Sequence, residues 1–277
     1  MYGLQGKVAI VTGAGRPKGL GEAMAKRLAA EGAAVVVHDL GEVKGDIAPA
    51  HGVGKAAEMD QMVDDIRKAG GKAIALRGDM LIESDVEKLV AATVKEFGRV
   101  DILVNNAGIG YLFGPLLEMT QEHWDAVLGV NLRGCFFGIK HAGKQMVKQG
   151  QGGRIINIAS QAAKSAFANT GAYTSSKHGL VGLTRVAALE LGPHNITVNA
   201  ICPNHVTTGL GAWQNDFMSK AQGKTMDEYM GAMRARIPLG RPGLPDDIAK
   251  ACAFLCSDEA AYITAECVNV SGGEEYH

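Results

Sequence analysis

Short apolar runs alternate with longer segments of helical periodicity along this chain. The runs lie at Val8–Val11, Val35–Val37, Ile102–Val104, Ile155–Ile158 and Val198–Ile201. They are nearly continuous, which predicts strands buried on both faces of a parallel sheet. The helical segments lie roughly at 20–31, 57–69, 84–97, 120–148 and 173–191. This alternation predicts a doubly wound α/β sheet in a single domain, with ligands bound at the carboxyl ends of the strands.

Two segments interrupt the alternation. Gly41–Lys55 is rich in glycine and predicts a surface loop that is longer than most connections of this kind. Residues 203–240 show no clear strand pattern and carry the large side chains of Trp213, Phe217 and Met218. Long insertions in compact domains commonly cover binding sites. We therefore predict a substrate lid at about 203–240, in which these three side chains contact the substrate.

The composition of the chain disfavours several classes of protein. Lys and Arg total 28 and Asp and Glu 29, so no charge excess favours nucleic acid or an anionic membrane. No run approaches the roughly 18 apolar residues of a membrane span, and the start lacks the pattern of a signal peptide. The five cysteines form no disulfide framework, and the eight histidines lack metal-ligand spacing. We expect a cytoplasmic protein without a catalytic metal, whose partner is a small molecule.

A glycine-rich segment, TGAGRPKGLG at residues 12–21, joins the first strand to the first helix. Glycines let the backbone turn sharply and approach a pyrophosphate, which binds to the exposed N–H groups at the start of a helix. The segment therefore predicts a dinucleotide site. Its predicted contacts are Gly13, Gly15, Gly19, Leu20 and Gly21.

Asp39, at the end of the second strand, bears on the choice of dinucleotide. An acid at this position can accept hydrogen bonds from both adenosine ribose hydroxyls, and it repels a 2′-phosphate. Arg16 and Lys18 favour NADP instead, because a cation attracts the 2′-phosphate. We give Asp39 the greater weight and predict NAD rather than NADP.

Tyr173 and Lys177 are four residues apart in a helical segment and therefore share one face. A free phenol has a pKa of about 10, and a neighbouring ammonium lowers it towards the range useful for proton transfer. The spacing alone also fits an ordinary pair on a helix. Ser160 strengthens the catalytic interpretation, because it follows the apolar run that ends at Ile158 and places a hydroxyl at the ligand-binding edge of the sheet.

These features occur in one order along the chain: Thr12-Gly13, Gly19 and Gly21, Asn105–Gly108, Asn131, Ser160, and Tyr173 with Lys177. In this combination the sequence resembles the short-chain dehydrogenase/reductase family over residues 5 to about 273. The resemblance implies a Rossmann-type fold and alcohol dehydrogenase activity. Tyr173 would be the general acid/base and Ser160 would polarise the substrate oxygen. Lys177 would lower the tyrosine pKa and bind the nicotinamide ribose, and Asn131 would hold a water of a proton relay.

The resemblance also implies further contacts with the cofactor and the substrate. Asp79, after the third strand, would contact adenine with Met80 beside it, and Asn106 and Gly108 would form walls of the cofactor cleft. Val206 and Thr208 match the family's Pro-Gly-x-Val-x-Thr stretch, whose threonine contacts the nicotinamide carboxamide. Gln161 and His205 complete the predicted substrate site, although a surface or structural role is the alternative for His205.

Three positions depart from the family's pattern. The glycine loop is two residues longer, which leaves its phosphate contacts open. Asn204 and Ala265 replace usual glycines, so Asn204 is expected to adopt the backbone angles of glycine, which asparagine tolerates better than most residues.

A homotetramer is expected from the habit of the family and from the helix at 173–191. That helix carries apolar residues beyond one narrow stripe: Leu180, Val181, Leu183, Val186 and Leu189.

We therefore predict an NAD-dependent oxidoreductase that acts on a secondary alcohol or ketone with a hydrophobic body. One alternative is a 3-hydroxyacyl-thioester dehydrogenase or 3-oxoacyl reductase, because His38–Gly41 and the glycine-containing insertion after it resemble multifunctional β-oxidation enzymes. An alternative from another class is a dinucleotide-sensing protein without turnover.

Overall fold

A computed structural model describes residues 2–42 and 53–277, and seven parallel strands in this part of the chain form one sheet. The strands are β1 (Val8–Thr12), β2 (Ala34–Asp39), β3 (Lys72–Arg77), β4 (Ile102–Asn105), β5 (Gly153–Ile158), β6 (Ile196–Pro203) and β7 (Cys267–Val270). Their order in the sheet is β3-β2-β1-β4-β5-β6-β7. The strand order reverses between β1 and β4, which is where doubly wound sheets bind ligands. The predicted Rossmann-type α/β fold is confirmed.

Helices cover both faces of the sheet. They are α1 (Leu20–Ala30), α2 (Ala56–Lys68), α3 (Glu83–Phe97), α4 (Gln121–Leu128), α5 (Cys135–Gln149), α6 (Gly171–Leu191), α7 (Gly209–Ala221), α8 (Met226–Arg236) and α9 (Pro245–Cys256). Side chains of α1, α2 and α9 build the core on one face, and those of α3, α5 and α6 build it on the other. None of the helices in the described ranges is long and apolar enough to cross a bilayer.

The strand β1 shows why the apolar runs are continuous. Ala9 and Val11 belong to the core on one face of the sheet, and Ile10 belongs to the core on the other. All three side chains are fully buried. Burial of one such aliphatic side chain contributes about 1.5–3 kcal/mol. The edge strands β3 and β7 are only partly buried, so their sequences lack an equally continuous apolar run.

The predicted helical segment 120–148 is helical almost throughout, but its turns are not all α-helical. A π-helical turn, Gly129–Gly134, separates α4 from α5. The side chain of Asn131 in this turn bonds to the main chain of Ile109, with Oδ1 accepting from the N–H at 2.7 Å and Nδ2 donating to the carbonyl at 2.8 Å. π-Helical turns inside helices are rare and frequently occur at functional sites.

The two segments that interrupt the predicted alternation of strands and helices both form regular contacts. The first does so at its ends and the second along its length. Gly41 and Lys55 form an isolated bridge that closes the base of the first loop, and residues 43–52 of that loop lie outside the described range. The proposed likeness of this insertion to β-oxidation enzymes therefore falls largely on positions that the structure does not describe. The second segment, 203–240, contains α7 and α8.

Asn204 and Ala265, which stand where the family usually has glycine, differ in backbone conformation. Asn204 does not adopt a left-handed conformation, so the tolerance of asparagine for such angles is not used here. Its N–H continues the pairing of β6 by donating to the carbonyl of Val270. Ala265 does have a positive φ of 65°, and so does Lys18, at 58°, in the lengthened glycine loop.

Candidate active site

A cavity of about 800 Å³ lies at the carboxyl edge of the sheet and extends to α7 and α8. It brings together most of the residues that the sequence predicted for the site. Those that line it are Gly13, Gly19, Leu20, Gly21, Asp39, Asp79, Met80, Asn106, Gly108, Ser160, Gln161, Tyr173, Lys177, His205, Val206, Thr208 and Met218. Gly15, Asn131, Trp213 and Phe217 do not line it.

The glycine loop leaves space that side chains would fill. Gly13 has a φ of +62°, and a Cβ placed on it would lie 2.6 Å from the Cα of Ala107. A Cβ on Gly21 would lie 2.5 Å from the carbonyl oxygen of Gly13. Gly19 is the N-cap of α1 and supplies no side-chain cap, so the first N–H groups of this helix remain available to an anion. The loop therefore fits a pyrophosphate.

The carboxylate of Asp39 is held by main-chain N–H groups. Gly15 donates to Oδ2 at 2.9 Å and Leu40 donates to Oδ1 at 2.8 Å. Burial raises the pKa of Asp39, while these hydrogen bonds and the charge of Arg16 oppose the increase. Arg16 lines the cavity too, and burial lowers its pKa. Asp39 and Arg16, which favour NAD and NADP respectively, therefore lie close together in the structure.

The predicted catalytic side chains come from β5 and α6. Ser160 follows the carboxyl end of β5, and its Oγ accepts a hydrogen bond of 3.1 Å from the N–H of Ala162. Lys177 is buried, and its Nζ donates to the carbonyl oxygen of Ile158 at 2.8 Å. The same Nζ lies 5.6 Å from the ring centroid of Tyr173. The arrangement thus places a hydroxyl, a phenol and an ammonium group at one cavity.

Asn131 lies behind this group rather than on the cavity wall. In addition to the two hydrogen bonds between Asn131 and Ile109, the Nδ2 of Asn131 donates to the Oγ of Ser176 in α6 at 3.1 Å. Its Oδ1 also lies 3.2 Å from where a Cβ of Gly108 would stand. Asn131 therefore connects the loop after β4 to the catalytic helix, and its role in a proton relay stays a prediction.

Two predicted cofactor contacts already use their side chains within the protein. Asn106 Nδ2 donates to the carbonyl oxygens of Thr12 and Gly13, both at 2.9 Å. Thr208 is the N-cap of α7, where its Oγ1 accepts from the N–H of Gly211 at 3.0 Å. Both side chains therefore fix the loops around the cavity.

The aromatic residues of α7 pack against a loop residue that the sequence analysis did not single out. Trp213 and Phe217 stack at 5.6 Å, and each contacts Phe113, at 5.6 and 5.7 Å between ring centroids. Phe113 in turn lies 5.8 Å from Tyr173 and lines the cavity. Trp213 and Phe217 lie behind Phe113 rather than on the cavity wall, and their contact with the substrate stays a prediction. The α7 residues on the wall are Leu210, Gly211, Gln214, Asn215 and Met218.

The sequence analysis also missed a polar group near His205. Glu274 accepts a hydrogen bond of 2.9 Å from Arg236 Nε, and Asn204 Nδ2 donates to its other oxygen. The Nε2 of His205 lies 3.8 Å from Glu274 Oε2. Burial lowers the pKa of His205, although Glu274 acts to raise it. No motif marks Arg236 or Glu274, because α8 and the carboxyl-terminal segment meet only in the folded chain.

Comparison with known proteins agrees with this geometry. A family model described as Enoyl-(Acyl carrier protein) reductase matches residues 13–275. A short-chain dehydrogenase/reductase of Armillaria gallica is 40% identical, with 97% of this chain and 96% of the relative covered. An L-rhamnose 1-dehydrogenase (NAD(P)(+)) of Azotobacter vinelandii is 38% identical, with 96% of each covered.

Among solved structures, a carveol dehydrogenase from Mycobacterium avium in complex with NAD superposes with a TM-score of 0.91. It is 29% identical, and 99% of each chain is covered. The likeness thus extends over the sheet, the glycine loop and the catalytic helix. The chain belongs to the short-chain dehydrogenase/reductase family of oxidoreductases, which use a nicotinamide dinucleotide.

Proposed function

We propose that the protein oxidises a secondary alcohol to a ketone with NAD, and catalyses the reverse reduction. The observation that carries this proposal is the convergence of Ser160, Tyr173 and Lys177 on the cavity that also contains the glycine loop. A phenol beside an ammonium group is suited to exchange a proton with an alcohol or ketone oxygen.

The cofactor would occupy the part of the cavity between the glycine loop and Lys177. When bound, the nicotinamide supplies the redox chemistry by exchanging a hydride with the carbinol carbon. Ser160 orients the substrate oxygen through its hydroxyl. Tyr173 takes the hydroxyl proton during oxidation and returns it during reduction. Lys177 lies beside the phenol, where its ammonium group would bind the nicotinamide ribose.

Asp39 supports the preference for NAD. Its carboxylate lies on the cavity wall with its orientation fixed by Gly15 and Leu40. A 2′-phosphate at this position would bring like charges together, whereas two ribose hydroxyls would donate to the carboxylate. Arg16 is already close to Asp39, so the acid offsets the cation that would otherwise attract a phosphate.

The substrate's hydrophobic body would contact the apolar part of the wall. Tyr111, Phe113, Leu210 and Met218 line this part. Phe113 is supported from behind by the stacked rings of α7. We propose that residues 203–240 act as the substrate lid, with α7 supplying both the direct contacts and the packing that holds Phe113.

An assay of nicotinamide fluorescence with a panel of secondary alcohols tests the proposal. We expect NADH to appear with at least one alcohol that has a hydrophobic body. NAD binding without turnover on any alcohol or ketone would instead favour the dinucleotide-sensing alternative. Turnover confined to hydroxyacyl thioesters would favour the thioester dehydrogenase.

We also propose a cytoplasmic homotetramer. The five cysteines are free thiols, a state that a reducing compartment maintains. Val186 and Leu189 on α6 are exposed in the single chain, as is Phe136 on α5. Exposed apolar side chains of this kind are suited to an interface between subunits.

A further inference from the structure

Part of the cavity wall is polar and has no function in proton transfer at Tyr173. His205, Arg236 and Glu274 line this part, together with Asn204. They come from three separate places: the end of β6, the last turn of α8 and the carboxyl-terminal segment. Arg236 and Asn204 donate hydrogen bonds to Glu274, and neither donates to Ser160 or Tyr173.

Side-chain hydrogen bonds hold the carboxyl-terminal segment, residues 271–277, beside residues 161–165, which follow Ser160. The carboxylate of Glu275 is buried and accepts hydrogen bonds from Gln161 Nε2 at 3.2 Å and from Ser165 Oγ at 2.5 Å. Gln161 directly follows Ser160. Glu274 is therefore fixed in position before any substrate arrives, which is how an orienting polar contact gains affinity.

The cluster has hydrogen-bonding capacity that its own members do not use. A carboxylate offers about four acceptor positions, and Glu274 receives hydrogen bonds from Arg236 and Asn204. The 3.8 Å separation from His205 is too long for a hydrogen bond. Arg236 is hydrogen-bonded to Glu274 through Nε, so other N–H groups of its guanidinium remain available.

The charges in the cluster select for a neutral ligand. Arg236 and Glu274 neutralise each other, so the pair offers no net charge to a carboxylate or an ammonium group. Burial lowers the pKa of His205 and favours its neutral ring, which has one donor and one acceptor nitrogen. A hydroxyl group both donates and accepts, so it matches this combination.

We infer that Asn204, His205, Arg236 and Glu274 form a second substrate subsite, which binds a hydroxyl group other than the one being oxidised. The inference rests on the proposed alcohol dehydrogenase function and narrows its substrate class. The preferred substrate is then a diol, or the corresponding hydroxyketone, whose apolar body lies along Leu210 and Met218.

Matched alcohols and variants test this inference. The substrates are cyclohexanol and the 1,2-, 1,3- and 1,4-cyclohexanediols. The variants are Glu274→Gln and Arg236→Gln, and the control is Arg234→Gln, which removes an exposed charge from the same helical turn. The measured quantity is kcat/KM for each alcohol with NAD, together with Tm for each variant.

We expect the wild-type protein to use at least one diol about tenfold better than cyclohexanol. The two test variants should lower kcat/KM for that diol about 10- to 100-fold more than for cyclohexanol, as expected for a lost hydrogen bond to a charged group. Arg234→Gln should leave the ratio unchanged.

Two results would overturn the inference while the proposed function stands. In one, the wild-type protein oxidises cyclohexanol at least as well as every diol. In the other, the variants lose activity equally on all four alcohols, which would give the cluster a structural role only. Inactivity of the wild-type protein on all four alcohols with both NAD and NADP would overturn this inference, whereas the proposed function fails only if no alcohol or ketone of the wider panel is turned over.

Discussion

Lys177 donates a hydrogen bond from Nζ to the main-chain carbonyl oxygen of Ile158 at 2.8 Å. Ile158 ends β5 two residues before Ser160, and Lys177 lies one helical turn after Tyr173. The bond therefore joins α6, which carries Tyr173, to the strand that precedes Ser160. An ammonium group has three N–H donors, so two remain for a ribose hydroxyl or a water.

The first prediction concerns Asp39 and the choice of cofactor. We expect wild-type protein to prefer NAD, and Asp39→Ala to lower the ratio of kcat/KM for NAD to that for NADP about 10- to 100-fold. The variant loses the acceptor for the ribose hydroxyls and the repulsion of a 2′-phosphate, while Arg16 remains. Asp64→Ala, an exposed acid on α2, is the control for the change of charge. A preference of the wild-type protein for NADP would show that Arg16 outweighs Asp39.

The second prediction concerns His38 and the pH dependence of stability. Burial lowers the pKa of His38 to about 4, whereas an unfolded histidine has a pKa of about 6.5. Between these values the unfolded chain binds more protons than the folded chain. The free energy of unfolding therefore falls as the pH falls through this window. The contribution of His38 amounts to about 2 kcal/mol between pH 7 and pH 5.

Chemical denaturation at pH 7 and pH 5 measures this contribution. The loss of stability on acidification should be about 2 kcal/mol smaller in His38→Leu than in the wild-type protein. His194→Leu removes an exposed histidine and should leave the loss unchanged. An equal loss in His38→Leu and wild type would show that His38 titrates normally in the folded state.

The third prediction separates the two faces of α7. Met218→Ala and Leu210→Ala remove contacts on the cavity wall and should change the relative kcat/KM among alcohols, by about 1–3 kcal/mol in transition-state free energy. Trp213→Ala and Phe217→Ala remove the support of Phe113 instead. They should lower Tm and raise KM for all alcohols alike. A changed substrate preference at unchanged Tm in Trp213→Ala would contradict this division.

The fourth prediction concerns assembly. Light scattering should give four times the chain mass of 29.0 kDa. Val186→Glu with Leu189→Glu should reduce this mass, because both side chains are exposed on α6 and would meet like charges in a symmetric interface. Leu117→Glu changes a still more exposed apolar residue outside α6 and serves as the control. A wild-type mass equal to one chain would contradict the tetramer.

The sequence predicted those features of the structure that depend on local patterns of residues. The continuous run of β1 predicted a strand covered on both faces, and the spacing of Tyr173 and Lys177 predicted a shared helical face. Helical periodicity could not reveal the π-helical turn at Asn131, because apolar positions continue on both sides of it. The bonds from Asn131 to Ile109 that accompany this turn are contacts between distant segments.

The substrate side of the site was the least predictable, for a similar reason. Trp213 and Phe217 were expected at the substrate because they are large and apolar, but their direction depends on Phe113, about a hundred residues earlier in the chain. Glu274 meets Arg236 and Asn204 only after the carboxyl-terminal segment packs against α8 and the end of β6. Such long-range contacts leave no period or spacing in the sequence.

The central claim is that Tyr173 transfers the substrate proton, and the kinetics of Tyr173→Phe test it most directly. The measurement is kcat with the best alcohol and NAD, together with the Kd of NAD, with Tyr262→Phe as an exposed control. We predict that kcat falls by about 10²- to 10⁴-fold in Tyr173→Phe, as expected for loss of a general acid/base, while the Kd of NAD stays within a few fold. A kcat close to that of the wild-type protein would contradict the account.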